Sequence, residues 1–361
     1  VTSVLLAGGG TAGHVNPLLA VADAWLADDP GVTIGVLGTA EGLEARLVPA
    51  RGYELLTIPR VPFPRRPNGA AVRFLSRFRD AVRRTRQILR EREIDVVVGF
   101  GGYAAAPAYV AARAERIPFV VHEANARPGI ANRLGAWLGG VVATTFPGTP
   151  LRRATIVGMP LRAEIVTLDR RAERPRALAT FGLDASRPVL LVTGGSTGAK
   201  RLNETVSASI VPLLGAGWQV LHITGTGRGG TDPGLEGYRV IEYCDDMHLA
   251  LAAADLVVCR SGAATVTELA AVGLASVLVP YPVGNGEQKL NAAELIEAGA
   301  AILVDDAAFT PEWVTDTLIP LLVGRAEIAR MTAAAAAVAR PDAALALVGL
   351  AREAVAAKRV G

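Results

Sequence analysis

The chain has 361 residues, 51% hydrophobic and 20% charged, with a formal net charge of +3. At roughly 150 residues per domain this length suits two domains, and the apolar fraction excludes intrinsic disorder. Two cysteines, Cys244 and Cys259, are too few for a disulfide scaffold and form no CxxC pair, so a reducing compartment is the default.

The first apolar run, Val4 to Ala7, stops at Gly8, far short of a signal-peptide core. No stretch approaches the roughly 18 uninterrupted apolar residues of a membrane span. From there the pattern alternates strand and helix. Strands are expected at 4–7, 32–37, 96–99, 119–122, 141–145, 188–193, 220–224, 256–259, 276–280 and 301–304. They are short, rich in Val, Leu and Ile, and apolar on both faces, as strands are when helices cover both sides of a parallel sheet. Helices are expected at 17–27, 70–92, 202–214, 264–271 and 288–297, with an Ala-rich terminal helix at 343–358. This order predicts a doubly wound α/β architecture. Charges cluster at 162–187, which suits a linker and an entering helix, and then the chain starts again. Val4–Ala7 runs into Gly8-Gly9-Gly10-Thr11-Ala12-Gly13-His14, and Val189–Thr193 runs into Gly194-Gly195-Ser196-Thr197-Gly198. Two Rossmann-like domains facing across a cleft are the expected result.

Each glycine turn admits more than one chemistry. Gly8-x-Gly10-x-x-Gly13 satisfies the dinucleotide fingerprint, in which glycines let the backbone approach a phosphate at a helix N-terminus. The acidic residue that should end the second strand is absent, however, with Glu41 displaced beyond Gly38-Thr39-Ala40. Gly194-x-Ser196-x-Gly198 matches a serine-hydrolase elbow, with His222 and His248 downstream as candidate partners. No P-loop, HExxH, zinc-spaced His/Cys set or D-x-D occurs. A bound diphosphate would have to be neutralised by helix dipoles, backbone amides and Arg.

The block Cys259-Arg260-Ser261-Gly262-Ala263-Ala264-Thr265-Val266-Thr267-Glu268 reads as strand, turn and helix. Amides at Ala264 and Thr265 would face a phosphate, and Glu268 could accept two ribose hydroxyls; the other reading is a helix cap with a solvated Glu. The polar loop Gly284-Asn285-Gly286-Glu287 leads into a helix carrying Gln288 and Asn291, three apart on one face and suited to sugar hydroxyls.

These motifs together resemble the peptidoglycan N-acetylglucosaminyltransferases that convert lipid I to lipid II, GT-B glycosyltransferases of the family 28 type. The resemblance runs through Gly9-Gly10-Thr11-Ala12-Gly13-His14 with Pro17, Gly99-Phe100-Gly101-Gly102-Tyr103 with Pro107, and His122-Glu123-Ala124-Asn125. It continues through Gly158-Met159-Pro160-Leu161-Arg162, Gly194-Gly195-Ser196 to Asn203, Asp245-Asp246-Met247, Arg260–Glu268, and Gln288 with Asn291. Ala124, Met159 and Glu287 depart from it, standing where the family usually has Gln, Asn, and Gln or His.

The resemblance implies an acceptor domain at 1–161, joined by the terminal helix 342–361, and a donor domain at 162–341. UDP-N-acetylglucosamine would have its uracil near Cys244 and its ribose on Glu268. Ser196, Ala263, Ala264 and Thr265 would meet the diphosphate, and Gln288 and Asn291 the sugar. Arg162, Asn125 and the Thr11-Ala12-Gly13 turn would complete the donor site. The same turn, with Gly101, Gly102 and Tyr103, would also offer amides to the diphosphate of the lipid-linked acceptor. His14 is the candidate base or, alternatively, a phosphate ligand; His122 and His222 read as structural. No metal or other cofactor is expected.

Ten Arg against one acid, Asp80, lie between Arg60 and Arg90, a local charge of +9 that leaves the rest of the chain at −6. Leu75, Phe78, Val82 and Leu89 share one helical face and read as core. Phe63 and Phe74, beside Arg65, Arg66, Arg73 and Arg77, suit the headgroup level of an anionic bilayer. A nucleic-acid partner has no motif to support it. The implied location is the cytoplasmic face of the cell membrane, as a peripheral protein, with other cell-wall synthesis proteins as further candidate partners.

Overall fold

Buried Val, Leu and Ile runs build two parallel sheets in the computed structural model of the chain. The structure describes every residue except Val1, residues 62–68, Ser196, residues 229–232, Gly284 and Gly361; the side chains of residues 69–73, 359 and 360 also lie outside the description. The first sheet contains β1 (Ser3–Ala7), β2 (Thr33–Gly38), β3 (Glu54–Thr57), β4 (Val96–Gly99), β5 (Phe119–Glu123), β6 (Val141–Thr144) and β7 (Thr155–Ile156), in the order β3-β2-β1-β4-β5-β6-β7. The second contains β8 (Val189–Thr193), β9 (Gln219–Ile223), β10 (Tyr238–Ile241), β11 (Leu256–Cys259), β12 (Ser276–Leu278) and β13 (Ala301–Leu303), in the order β10-β9-β8-β11-β12-β13. Both orders are the Rossmann one. The winding reverses between β1 and β4, where Leu5 sits beside Val97, and between β8 and β11, where Leu191 sits beside Val257. Open α/β sheets hold ligands outside the carboxyl ends of their strands at such reversal points.

The chain divides into two compact units, Val1–Arg162 with Arg340–Gly361, and Ala163–Ala339. The last helix, Ala343–Val360, belongs to the first unit because Leu347, Val348 and Ala351 are buried with Val4, Leu6 and Trp25. Within the charged segment the expected entering helix is Arg170–Phe181, docked on the second unit. The Asp169 carboxylate caps it by accepting from the Arg171 and Ala172 amides, both at 3.0 Å. Two of its arginines point inward: Arg170 donates to the carbonyls of Leu251, Ala254 and Gly273, and Arg174 pairs with Asp255 at 2.8 Å.

Other boundaries also differ from expectation. The first helix is Ala12–Asp28, so Ala12, Gly13 and His14 form its first turn rather than the loop before it. The expected helix at 202–214 is two pieces, Lys200–Ala208 and Ile210–Gly215, meeting at Ser209, and 288–297 divides into Glu287–Asn291 and Ala293–Glu297.

The arginine-rich helix spans Gly69–Glu91. Ala81, Ile88 and Leu89 are buried, and Phe74 stacks on Phe78 at 5.7 Å, packed against the core. Phe74 is therefore half-buried rather than presented outward, and Leu75, expected in the core, is 58% exposed. Arg86 and Arg90 grip Glu115 at 2.6 and 2.8 Å, and Arg83 meets Asp80 at 3.4 Å. The Arg90 and Arg86 guanidiniums pull the Glu115 carboxyl down to about 2. Arg77, Arg79 and Arg84 are exposed. Phe63, Arg65 and Arg66 fall outside the described residues, as does the side chain of Arg73.

Candidate functional site

In the second unit a cavity of about 740 Å³ opens at the β8/β11 reversal. Gly194, Gly195 and Gly198 line it after β8, Arg260, Gly262 and Thr265 after β11, and Tyr281 and Gln288 after β12. The glycine turn is held closely: Gly198 has φ +66°, and a Cβ there would overlap the Thr224 carbonyl. Asn203 ties the two segments together by donating from Nδ2 to the same carbonyl at 2.9 Å.

Of the residues expected at the donor, Thr265 and Gln288 line the cavity, and Gln288 Oε1 accepts from the Tyr281 amide at 2.9 Å. Ala263, Ala264 and Thr265 form the first turn of the helix Ala263–Ala271, whose leading amides have no intrahelical acceptor. Glu268 is half-buried one turn later. Burial, and then the Glu268 charge, push the Cys259 thiol up to about 12. Asn291 is completely buried and donates to the Ser261 carbonyl at 3.4 Å. Cys244 is half-buried, its thiol raised to about 11 by burial and by Asp246. Glu287 occupies the first turn of its helix, where its amide donates to Asn285 Oδ1 at 3.2 Å. Ser196 lies outside the described residues.

The cavity also brings together charges that the sequence did not single out. Lys200, Arg201, Arg228 and Arg260 line it against Glu204 and Asp306. Arg260 pairs with Asp306 at 2.6 Å and donates to the carbonyls of Val279 and Pro280.

His222, the hydrolase candidate, is buried and held on both nitrogens, by the Tyr238 hydroxyl at 2.8 Å and Asn203 Oδ1 at 3.1 Å. Burial drops its pKa to about 4. It is committed to the sheet rather than to a nucleophile.

The first unit builds its own site at the β1/β4 reversal. Turns 8–10 and 100–102 touch there: Gly102 has φ +75°, and a Cβ on it would overlap the Gly9 carbonyl. His14 lies half-buried between the turns, and a Cβ on Gly101 would come 3.1 Å from its Nε2. Its Nδ1 lies 3.1 Å from the Gly9 carbonyl and 3.2 Å from Thr11 Oγ1. A carbonyl can only accept, so Nδ1 carries the proton and Nε2 of the neutral ring keeps its lone pair. Thr11, Ala12 and Gly13 are exposed, and Tyr103 is covered by the Arg60 guanidinium 4.9 Å from its ring centre.

Asn125 is positioned by Glu123, whose carboxylate accepts from the amides of Asn125 and Gly129 and from Asn132 Nδ2, each at 2.9 Å. Ala124 and Met159, two of the departures from the family pattern, are both buried. His122 is completely buried, donates from Nε2 to the Gly158 carbonyl at 2.9 Å, and is lowered to about 4 by burial. Arg162 closes the first segment of this unit.

Glu44 was missed by sequence reasoning. It opens the helix after β2, three residues beyond Glu41, and is completely buried. One oxygen accepts from the Gly10 amide and the other from the amide and hydroxyl of Thr39. Burial raises its pKa, but these hydrogen bonds outweigh it and hold the carboxyl below its ordinary value. With both oxygens engaged it offers nothing to a nucleotide ribose, which removes the dinucleotide reading of this turn.

Similarity to known proteins follows the same division. The N-terminal domain of glycosyltransferase family 28 matches residues 4–144, and the C-terminal domain of that family matches residues 189–347. A UDP-N-acetylglucosamine--N-acetylmuramyl-(pentapeptide) pyrophosphoryl-undecaprenol N-acetylglucosamine transferase from Clavibacter sepedonicus is 61% identical over 359 residues, covering 99% of this chain and 98% of that protein. The transferase of the same name from Leifsonia xyli subsp. xyli is 62% identical over 343 residues, covering 95% and 96%. The crystal structure of Acinetobacter baumannii MurG superposes with a TM-score of 0.80 at 30% identity, covering 98% of this chain and 100% of that one.

Proposed function

The chain belongs to glycosyltransferase family 28, and from that premise we propose that it makes lipid II. It is a UDP-N-acetylglucosamine-dependent hexosyltransferase with the two Rossmann-like units of a GT-B enzyme. It moves N-acetylglucosamine to the C4 hydroxyl of undecaprenyl-diphosphate-N-acetylmuramoyl-pentapeptide, a step of peptidoglycan synthesis. The observation that carries this reading is the near-full-length identity to transferases bearing that activity in their names.

The donor belongs to the second unit. Four cations against two carboxylates around its cavity suit a diphosphate, and the amides of Ala264 and Thr265 add the positive end of a helix. Glu268 accepts the ribose hydroxyls, the backbone near Cys244 meets the uracil, and Gln288 addresses the sugar. Asn291, expected beside it, is instead buried against the Ser261 carbonyl and supports the loop from within. Ser196 contributes to the diphosphate. The acceptor diphosphate takes the amides of the first unit's glycine turns, beside Gly101, Gly102 and Tyr103.

The reaction is an inverting single displacement. The C4 hydroxyl attacks the anomeric carbon, the bond to UDP breaks, and His14 Nε2 takes the hydroxyl proton. Charge leaving with the diphosphate is met by Arg and amides, so no metal is required. Transfer of labelled N-acetylglucosamine from its UDP donor to a short-chain lipid I analogue is expected to persist in EDTA. Loss of activity on chelation would overturn the metal-free reading, and absence of transfer with or without metal would overturn the assignment.

Among the described residues no helix is long and apolar enough to cross a membrane. The enzyme meets its lipid-linked acceptor peripherally, at the cytoplasmic face, through the arginine-rich helix. Arg77, Arg79 and Arg84 are exposed around the solvent side of this helix and suit anionic headgroups. Flotation with anionic liposomes is expected to fall with added salt and in the Arg73→Glu/Arg77→Glu variant. Binding indifferent to both would contradict this orientation.

A further inference from the structure

We propose that Glu44 is a positioning residue for the proposed base: by pinning one peptide unit it selects the tautomer of His14. This rests on the reading of His14 as the group that takes the acceptor proton.

Glu44 opens the short helix Glu44–Ala50 after β2 and sends its side chain back into the first glycine turn. Oε2 accepts from the Gly10 amide at 2.8 Å, while Oε1 accepts from the Thr39 amide at 2.9 Å and the Thr39 hydroxyl at 2.8 Å. Glycines from separate segments leave room for it: a Cβ on Gly9, Gly38 or Gly42 would overlap the Glu44 side chain. The cage admits one carboxylate and little else.

The Gly10 amide and the Gly9 carbonyl belong to the same peptide unit. A trans peptide is planar, with N–H and C=O pointing to opposite sides. Drawing the Gly10 N–H inward onto Glu44 therefore turns the Gly9 carbonyl outward, where it meets His14 Nδ1 at 3.1 Å. That carbonyl requires a proton on Nδ1, so the lone pair of the neutral ring falls on Nε2. A flipped peptide would present N–H to Nδ1 and move the ring proton to Nε2, which could then no longer accept one. Glu44 thus acts through a single rigid unit on the protonation state of His14 without touching substrate.

Glutamine tests the chemistry at constant shape. Its carbonyl can serve the two Thr39 donors, but its NH2 group then faces the Gly10 N–H, donor against donor. In full-length Glu44→Gln, kcat for transfer to the lipid I analogue is expected to fall roughly tenfold or more, with the KM for UDP-N-acetylglucosamine unchanged. The imidazole 15N spectrum should show His14 leaving the Nδ1–H tautomer. The chain has only four histidines, and His14→Ala identifies the resonance.

Gly42→Ala provides a second perturbation, crowding the carboxylate while leaving its charge and the glycine turn's own sequence in place. The same tautomer change is expected there, and it decides the matter if Glu44→Gln fails to fold. Unchanged kcat and an unchanged Nδ1–H signature in a folded variant would overturn the proposal. A fall in Tm alone, with kcat per folded enzyme and the tautomer preserved, would also overturn it. The tautomer is read without turnover, so failure of the wild type to transfer sugar would count against the transferase reading and not against this coupling.

Discussion

Replacing His14 with alanine is expected to lower kcat by about 10²–10⁴-fold, the usual contribution of a positioned general base. The KM for UDP-N-acetylglucosamine should hardly change. The geometry supports this size of effect because the ring is not a loose surface group. Nδ1 is tied to the Gly9 carbonyl, the ring sits half-buried against Gly101, and its helix begins only two residues earlier, at Ala12. An unperturbed imidazole changes charge between about pH 5 and 8, so loss of such a base should also remove the acidic limb of the pH–rate profile. If His14 were only a phosphate ligand, the acceptor KM would rise and the limb would remain. Near-normal turnover with unchanged pH dependence would defeat the base role.

Gly102→Ala is the second large effect, and it arises from backbone rather than chemistry. Gly102 has φ +75°, a conformation costing a non-glycine residue about 1–3 kcal/mol, and its Cβ would overlap the Gly9 carbonyl. The Gly9 carbonyl is the same one that holds His14 Nδ1. Alanine must therefore push the two acceptor turns apart and disturb the ring together with the amides. The variant should show a lower Tm, a KM for the lipid I analogue raised roughly tenfold or more, and a reduced kcat. Unchanged affinity for UDP-N-acetylglucosamine is expected, because the residues lining the cavity proposed for the donor all lie within Ala163–Ala339. Acceptor kinetics equal to the wild type would contradict contact between the turns.

The strands were legible wherever burial on both faces leaves no ambiguity: β4 and β8 are apolar-rich and buried throughout. The three unexpected strands, β3, β7 and β10, are at or near half exposure and sit at sheet edges, where polar residues such as Glu54, Thr155 and Arg239 break the apolar run. Phe74 and Leu75 were assigned to the wrong sides of their helix, because adjacent apolar residues leave its phase open by one position. The glycine turns were legible as motifs, since positive φ and close backbone approach demand that residue type. Their supports were not. Glu44 is recognisable only once the fold gathers Gly9, Gly38 and Gly42 around it, and the Arg260–Asp306 pair joins residues whose proximity no local spacing encodes.

On the proposed reading, the β8/β11 reversal of the second unit holds the nucleotide sugar, with Glu268 on its ribose. Calorimetric titration of UDP-N-acetylglucosamine into the 361-residue chain, wild type against Glu268→Ala, checks this placement. One site is expected per chain, with affinity weakened about tenfold to a hundredfold in the variant, the value of hydrogen bonds to a charged acceptor. Equal affinity in the two proteins would place the donor elsewhere.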